Sequence, residues 1–281
     1  MIKIKSLLQG ILSVLLITIV TTLSAQEGWE AGPWGGASHY FGDLNTNFKL
    51  FKPGPAGGFN ARYNFNNRVG IKFMASYAEI SADDALSDNV YEQARNLSFK
   101  SKIIEGNTQF EFNFLPYTHG SKREFFTPYL FGGIAVFYFN PIAELDGQEY
   151  ELRTLGTEGQ FKGEEYYSVT GAASFGMGLK MDINYRWSVN IDLGIRSTFT
   201  DYLDDVSTVY ADAKDIARTR GDVAALLSDR SLIIEGINDG SLSQKGRQRG
   251  DDTNKDAYAF LGVSLMYYFG DIKCPRISNN Y

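Results

Sequence analysis

Two histidines, His39 and His119, are all the imidazole this chain offers, and Cys274 is its only thiol. Hydrolysis or acyl transfer needs a base beside a nucleophile, with a third group to hold the base. His39 and Asp201 are the one pairing able to supply such a base at a shared rim, and so sparse a constellation favours a hydrogen-bonded structural histidine. His119 has no second His or Cys beside it, so it reads as a solvated turn residue and not as a metal ligand. Residues 252–256 (DTNKD) open like a calcium loop, but Ala257 stands where the turn glycine is needed and Val263 where the bidentate acid belongs. They read as a solvated loop. The tripeptide RGD occurs at 220–222 and 249–251; three residues are weak grounds for adhesion. No catalytic, metal or cofactor site is expected, and no small-molecule substrate.

The densest chemistry lies in charges that recur on one face of alternating segments. Trp187, Val189, Ile191, Leu193, Ile195 and Phe199 fall on one parity, and Ser188, Asn190, Asp192 and Arg196 on the other. Strand side chains point to opposite faces every second residue, so this is one strand with an apolar and a polar face. Elsewhere Phe110, Phe112 and Phe114 oppose Glu105 and Glu111, Met177 and Leu179 oppose Lys180 and Asp182, Phe59 and Tyr63 oppose Arg62, and Ile71 and Phe73 oppose Lys72. The polar faces thus carry four acids (Glu105, Glu111, Asp182, Asp192) and four bases (Arg62, Lys72, Lys180, Arg196). Eight strands enclose only enough room for side chains to fill. The balance predicts a plugged, salt-bridged lumen without pore activity.

Eight strands are expected to position these groups, at about 29–41, 56–65, 68–78, 103–115, 125–139, 169–183, 187–200 and 257–269. In the first and fifth, aromatic residues and glycines occupy both parities, so their inward faces stay open. The connections after the second and sixth are tight turns and the one after the fourth is modest. Those after the first, third, fifth and seventh are long; the last spans 201–256 and is partly helical, with Val209, Ala213, Ile216, Ala217 and 223–227 recurring near helical spacing. Short turns on one rim and long loops on the other are the asymmetry of outer-membrane barrels.

Export is written at the start of the chain. Lys3 and Lys5 precede an apolar run from Leu7 to Val20, and small residues lead to Ala25. The division read from this is a signal peptide at 1–25, a barrel at 26–270 and a periplasmic tail at 271–281. No run reaches the ~18 apolar residues of a spanning helix, so a membrane-embedded part must be a closed barrel. The net charge of −6 leaves no basic footprint for nucleic acid. A soluble lipocalin-type barrel would show the same period with its apolar face inside. Against it stand polar faces rich in Gly, Ser and Asn, aromatics near strand ends (Tyr185, Trp187, Tyr267, Phe269 on one rim; Tyr77, Phe199, Tyr202 on the other), and loop lengths split by rim. In an oxidising periplasm the thiol of Cys274 is either tucked under the rim or bonded to a partner.

Five strings carry a family resemblance: HYFGDLN (39–45), LSFKSKIIEGNTQFEFNFLPY (97–117), TEGQ (157–160), RSTFTDYLDDVSTVY (196–210) and KCPR (273–276). They resemble the PorG-like outer-membrane barrels of the Bacteroidota type IX secretion and gliding machinery, over essentially the whole mature chain. The resemblance implies an all-β, eight-stranded antiparallel up-and-down barrel with both termini periplasmic and no catalysis. It also implies attachment to the periplasmic ring of the lipoprotein PorK and its partner PorN, with Cys274, between Lys273 and Pro275, as the residue for a covalent link to PorK. In TDYLDDVS, Asp201, Tyr202, Asp204 and Asp205 sit where the seventh strand leaves the membrane. They are expected to form a clasp ordering the outer loop, the alternative being a docking surface for a translocon subunit. The other functional class is a surface-exposed binding or adhesion barrel working through its long extracellular loops.

Overall fold

The computed structural model describes residues 27–46 and 52–272. The export segment 1–25 and Lys273, Cys274 and Pro275 lie outside the described residues. Among the described residues nine strands form: β1 (Gly28–Phe41), β2 (Gly54–Asn64), β3 (Val69–Asp83), β4 (Ser98–Asn113), β5 (Phe126–Leu145), β6 (Gln148–Glu151), β7 (Val169–Asp182), β8 (Trp187–Thr198) and β9 (Ala257–Tyr268). Eight of them close a barrel in which every neighbour is antiparallel: β1 pairs with β2 and β9, β4 with β3 and β5, and β7 joins β5 to β8. β6 pairs with β5 alone and makes a hairpin outside the barrel ring.

Alternation decides the two faces. Outward side chains are apolar and bare, as at Phe110 (61 %), Ile134 (69 %), Met177, Leu193 and Val263. In water each such side chain would forgo roughly 1.5–3 kcal/mol of burial; against lipid it forgoes nothing, so this wall is built for a membrane. Aromatic rings gather at the short-turn rim, where Trp187 meets Tyr267 and Tyr267 meets Phe269, each pair with ring centroids 5.0 Å apart. The two ambiguous strands resolve: β1 turns Glu30, Trp34, Ser38 and Tyr40 inward, and β5 turns Tyr129, Phe131, Phe137 and Phe139 inward. These rings fit because facing positions are glycine. A Cβ built on Gly262 would lie 2.8 Å from Trp34, and one on Gly194 2.8 Å from Phe131.

Three strands run further than their apolar belts suggested. β3 continues to Asp83 instead of Ala78, β4 begins at Ser98 instead of Ile103, and β5 reaches Leu145 instead of Phe139. β5 is 20 residues long, about twice the roughly 9–11 residues that span a bilayer. In this extension the outward positions become Glu79, Lys100, Lys102 and Glu144 while Ile80, Phe99 and Ala143 still point inward. The wall has left the lipid, but its core continues. In the long loops sit α1 (Val90–Arg95), α2 (Leu152–Leu155), α3 (Ala213–Arg220) and α4 (Asp222–Ser228). The last two fall in the segment expected to be helical, with Ile216, Ala224 and Leu227 buried.

Candidate functional site

The lumen holds two ionic clusters separated by an aromatic layer. Near the short turns, Glu111 of β4 receives three cations: Arg62 Nε at 2.7 Å, Lys180 Nζ at 2.6 Å and Lys72 Nζ at 3.2 Å. Arg62 also donates to Glu30 at 3.0 Å, and Lys72 to Asp192 at 3.0 Å. The Tyr129 hydroxyl donates to Asp192 and its ring lies 4.4 Å below the Lys180 ammonium. Above this cluster sit Trp34, Met74, Phe131 and Phe260, all buried. Beyond the layer Arg196 meets Glu105 at 3.2 Å, Tyr258 donates to the same carboxylate at 2.6 Å, and the guanidinium rests 4.2 Å from the Phe260 ring. A buried ion pair survives only with its lone pairs and protons satisfied, and here hydroxyls and rings fill the gaps between the charges.

The short-turn end is closed by the connection between β4 and β5, which folds inward. His119 stacks on Tyr268 at 4.4 Å, with its nitrogens 3.0 Å from a Glu30 oxygen and 2.9 Å from an Asp182 oxygen. Tyr117 donates to Asp182, and the Gly120 amide reaches the same carboxylate at 3.1 Å. Burial would lower the imidazole's pKa, yet the facing carboxylates outweigh it and raise it to about 9.

The opposite mouth is closed by a lid in which all four long loops meet. Leu203 is fully buried over the lumen. Tyr40 Oη lies 2.5 Å from Asp204 and 2.9 Å from Asp256, and Asp256 accepts from the Leu203 amide at 2.9 Å. A hydroxyl donates one proton, so a second proton between these carboxyls belongs to one of them; burial and mutual repulsion raise both pKa values. Asp205, at φ 68°, accepts from Thr157 and Tyr166, and burial raises its pKa to about 6. Two buried arginines bind the loops together. Arg95 grips Asp84 with two bonds of 2.8 Å and donates to the carbonyls of Asp43 and Arg249, each at 2.7 Å. Arg249 donates to Glu158 at 3.0 Å and to the Asp205 carbonyl at 2.6 Å.

The predicted residues therefore fall into four places. Arg62, Lys72, Glu111, Lys180 and Asp192 share the lower cluster, with Glu105 and Arg196 in the upper one. Asp182 sits apart at the short-turn plug. Asp201, Tyr202, Asp204 and Asp205 lie in the lid, where Ser207 donates to Asp201 at 2.6 Å and Tyr202 stacks on Tyr166 at 4.7 Å instead of facing lipid. His119 is a correction: expected solvated, it is buried between two acids. His39 faces outward on β1, away from the lumen parity, and Asp201 is engaged by Ser207 instead. In the calcium-like string Asp256 turns to Tyr40, and among the described residues no group of three His, Cys, Asp or Glu stands ready to hold a metal ion. Neither RGD presents its arginine, since Arg220 is held by Glu165 at 2.9 Å and Arg249 is buried. Sequence reading missed Glu30, Tyr129, Arg95, Arg249 and Glu158. Only the parity of β1 and β5 could have exposed the first two.

The model of a family described as Domain of unknown function (DUF6089) matches residues 9–218. The chain belongs to the DUF6089 family. No curated protein matches this DUF6089 chain. Among solved structures it is similar to Ail, the attachment invasion locus protein of Yersinia pestis, at 9 % identity, covering 88 % of this chain and 100 % of that one with a TM-score of 0.39. It is similar to Neisserial surface protein A at 8 % identity, 86 % and 97 % coverage and a TM-score of 0.43. The outer membrane protein OprG of Pseudomonas aeruginosa gives 11 %, 88 %, 98 % and 0.39. This DUF6089 barrel is filled from plug to lid.

Proposed function

We propose that this protein is a non-enzymatic outer-membrane mount of the type IX secretion machinery, anchoring the periplasmic ring of PorK and PorN. The observation that carries the reading is the filled lumen: two ionic clusters, an aromatic layer, a plug and a lid leave the rims as working surfaces. With the short turns periplasmic, the described chain ends at Ile272 on the ring side. The tail that follows carries Lys273, Cys274 and Pro275, and Cys274 is the residue proposed to bond PorK. Two measurements test this together. Purified barrel in planar bilayers should give no steady conductance, and the PorK adduct should run as a gel shift lost on reduction and in Cys274→Ser. Open channels, or an unmodified Cys274 thiol in the assembled complex, would sink the mount.

A second reading, a surface-binding barrel, is favoured by bare apolar side chains on the lid: Leu232, Ile237 and Ile233, the last 81 % exposed. Removing 229–240 separates the two. The mount keeps secretion without this segment; a binding barrel loses surface binding and nothing else.

A further inference from the structure

Two of the three short turns are the same device. In the turn from β2 to β3, the Asn66 side-chain oxygen accepts from the amides of Arg68 at 2.8 Å and Val69 at 2.9 Å. In the turn from β7 to β8, Asn184 accepts from Arg186 at 2.9 Å and Trp187 at 3.0 Å. The backbones close alike, Phe65 N to Val69 O at 3.0 Å and Ile183 N to Trp187 O at 2.8 Å. Each turn then sends its arginine sideways onto the end of a strand. Arg68 Nη1 donates to the Phe114 carbonyl at 2.6 Å, and Arg186 Nη1 to the Tyr268 carbonyl at 3.2 Å. Around each lie lipid-facing rings: Phe114 packs on Phe112 at 5.8 Å, and the Arg186 guanidinium sits 6.0 Å from the Tyr267 ring.

A guanidinium carries five N–H donors in a planar fork; the Phe114 carbonyl takes one from Arg68, and the Tyr268 and Gly270 carbonyls, the latter at 3.4 Å, are both reached by Arg186 Nη1, which leaves the rest of each fork unused. Neither Arg68 nor Arg186 makes an ion pair with a carboxylate among the described residues. Both forks are thus fixed at the height of the aromatic girdle with donors and charge to spare. At that height the anion a membrane supplies is the phosphodiester of a phospholipid headgroup, and the fork matches its oxygens. We propose that Arg68 and Arg186 are two built seats for phospholipid phosphate, fixing the barrel's height and rotation in the leaflet on the short-turn side. An acidic protein partner is the less favoured occupant, because Arg186 lies beside the lipid-facing Tyr267 ring and Arg68 is held on the backbone of lipid-facing Phe114. The inference rests on the short-turn rim facing the phospholipid leaflet, as proposed above, but its test reads lipid alone and needs no ring protein.

The experiment is native mass spectrometry of the full chain, released from detergent and titrated with phosphatidylglycerol or with phosphate-free digalactosyl-diacylglycerol. The wild-type chain should retain phosphatidylglycerol about tenfold more strongly than the galactolipid, the scale of one good charge-assisted contact. Arg68→Gln with Arg186→Gln should abolish that preference, while Lys122→Gln with Arg123→Gln, on the third short turn, should keep it. Equal retention of the two lipids by the wild-type chain overturns the proposal without any variant. So does an equal loss in both double variants, which would mean diffuse charge. Retained lipid preference in the arginine variant, with loss of binding to a polyglutamate peptide, would assign the seats to a protein and overturn it too.

Discussion

At the residue scale the lumen depends on Arg62, which neutralises Glu30 and Glu111 at once, both fully buried. Replacing one partner of such a set leaves a buried charge uncompensated, at a cost of about 3–5 kcal/mol. Arg62→Leu should therefore lower the unfolding free energy of the barrel folded into vesicles, read from denaturant titration, by an amount of that order; an unchanged value would mean that water reaches Glu111. This arginine was legible in the sequence because β2 alternates cleanly, Phe59, Ala61 and Tyr63 against Asn60, Arg62 and Asn64. Its partner Glu30 was not, because β1 places Trp29 and Trp34 on opposite parities and glycines on both, so periodicity cannot choose a face.

At the scale of elements, the turn between β4 and β5 acts as the lower plug, and its hold depends on charge. The imidazolium of His119 is favoured in the folded chain, its pKa raised from 6.5 to about 9 by Glu30 and Asp182 despite burial. Its contribution is fully present below about pH 6.5 and is lost as pH rises through 9. Amide exchange at 117–121, corrected for its intrinsic pH dependence, should accelerate between pH 7 and about 9.5, and His119→Gln should remove the step. A flat profile in the native chain would show that the turn is held by Tyr117 and Gly120 instead. Nothing local marks a turn histidine as inward, since its partners lie on β1 and β7. The strand extensions were hidden differently: at Glu79, Lys100 and Lys102 the outward face turns charged while the inward face stays apolar, and a reading keyed to lipid stops there.

Taken whole, the molecule is a cylinder closed at both ends, with the more elaborate closure on the long-loop side. Arg95 and Arg249 connect four loops, and their contacts join residues 154, 91 and 52 positions apart. Contacts of that separation leave no periodic trace, which is why the arginines that join TDYLDDVS to the other loops could not be read from the sequence. Arg249→Ala should free the lid as a unit: limited proteolysis should cut all four long loops, with the strand core and its heat-shifted gel mobility intact. Cleavage confined to 229–256 would mean that the loops are held independently. One lid contact also spans the place where the cylinder closes on itself. Tyr40 lies at the end of the first strand and Asp256 just before the last, and those two strands pair with each other. Opening the seam between β1 and β9 at the lid end therefore means breaking this contact as well as the ladder. The lid is also a latch across the cylinder's seam.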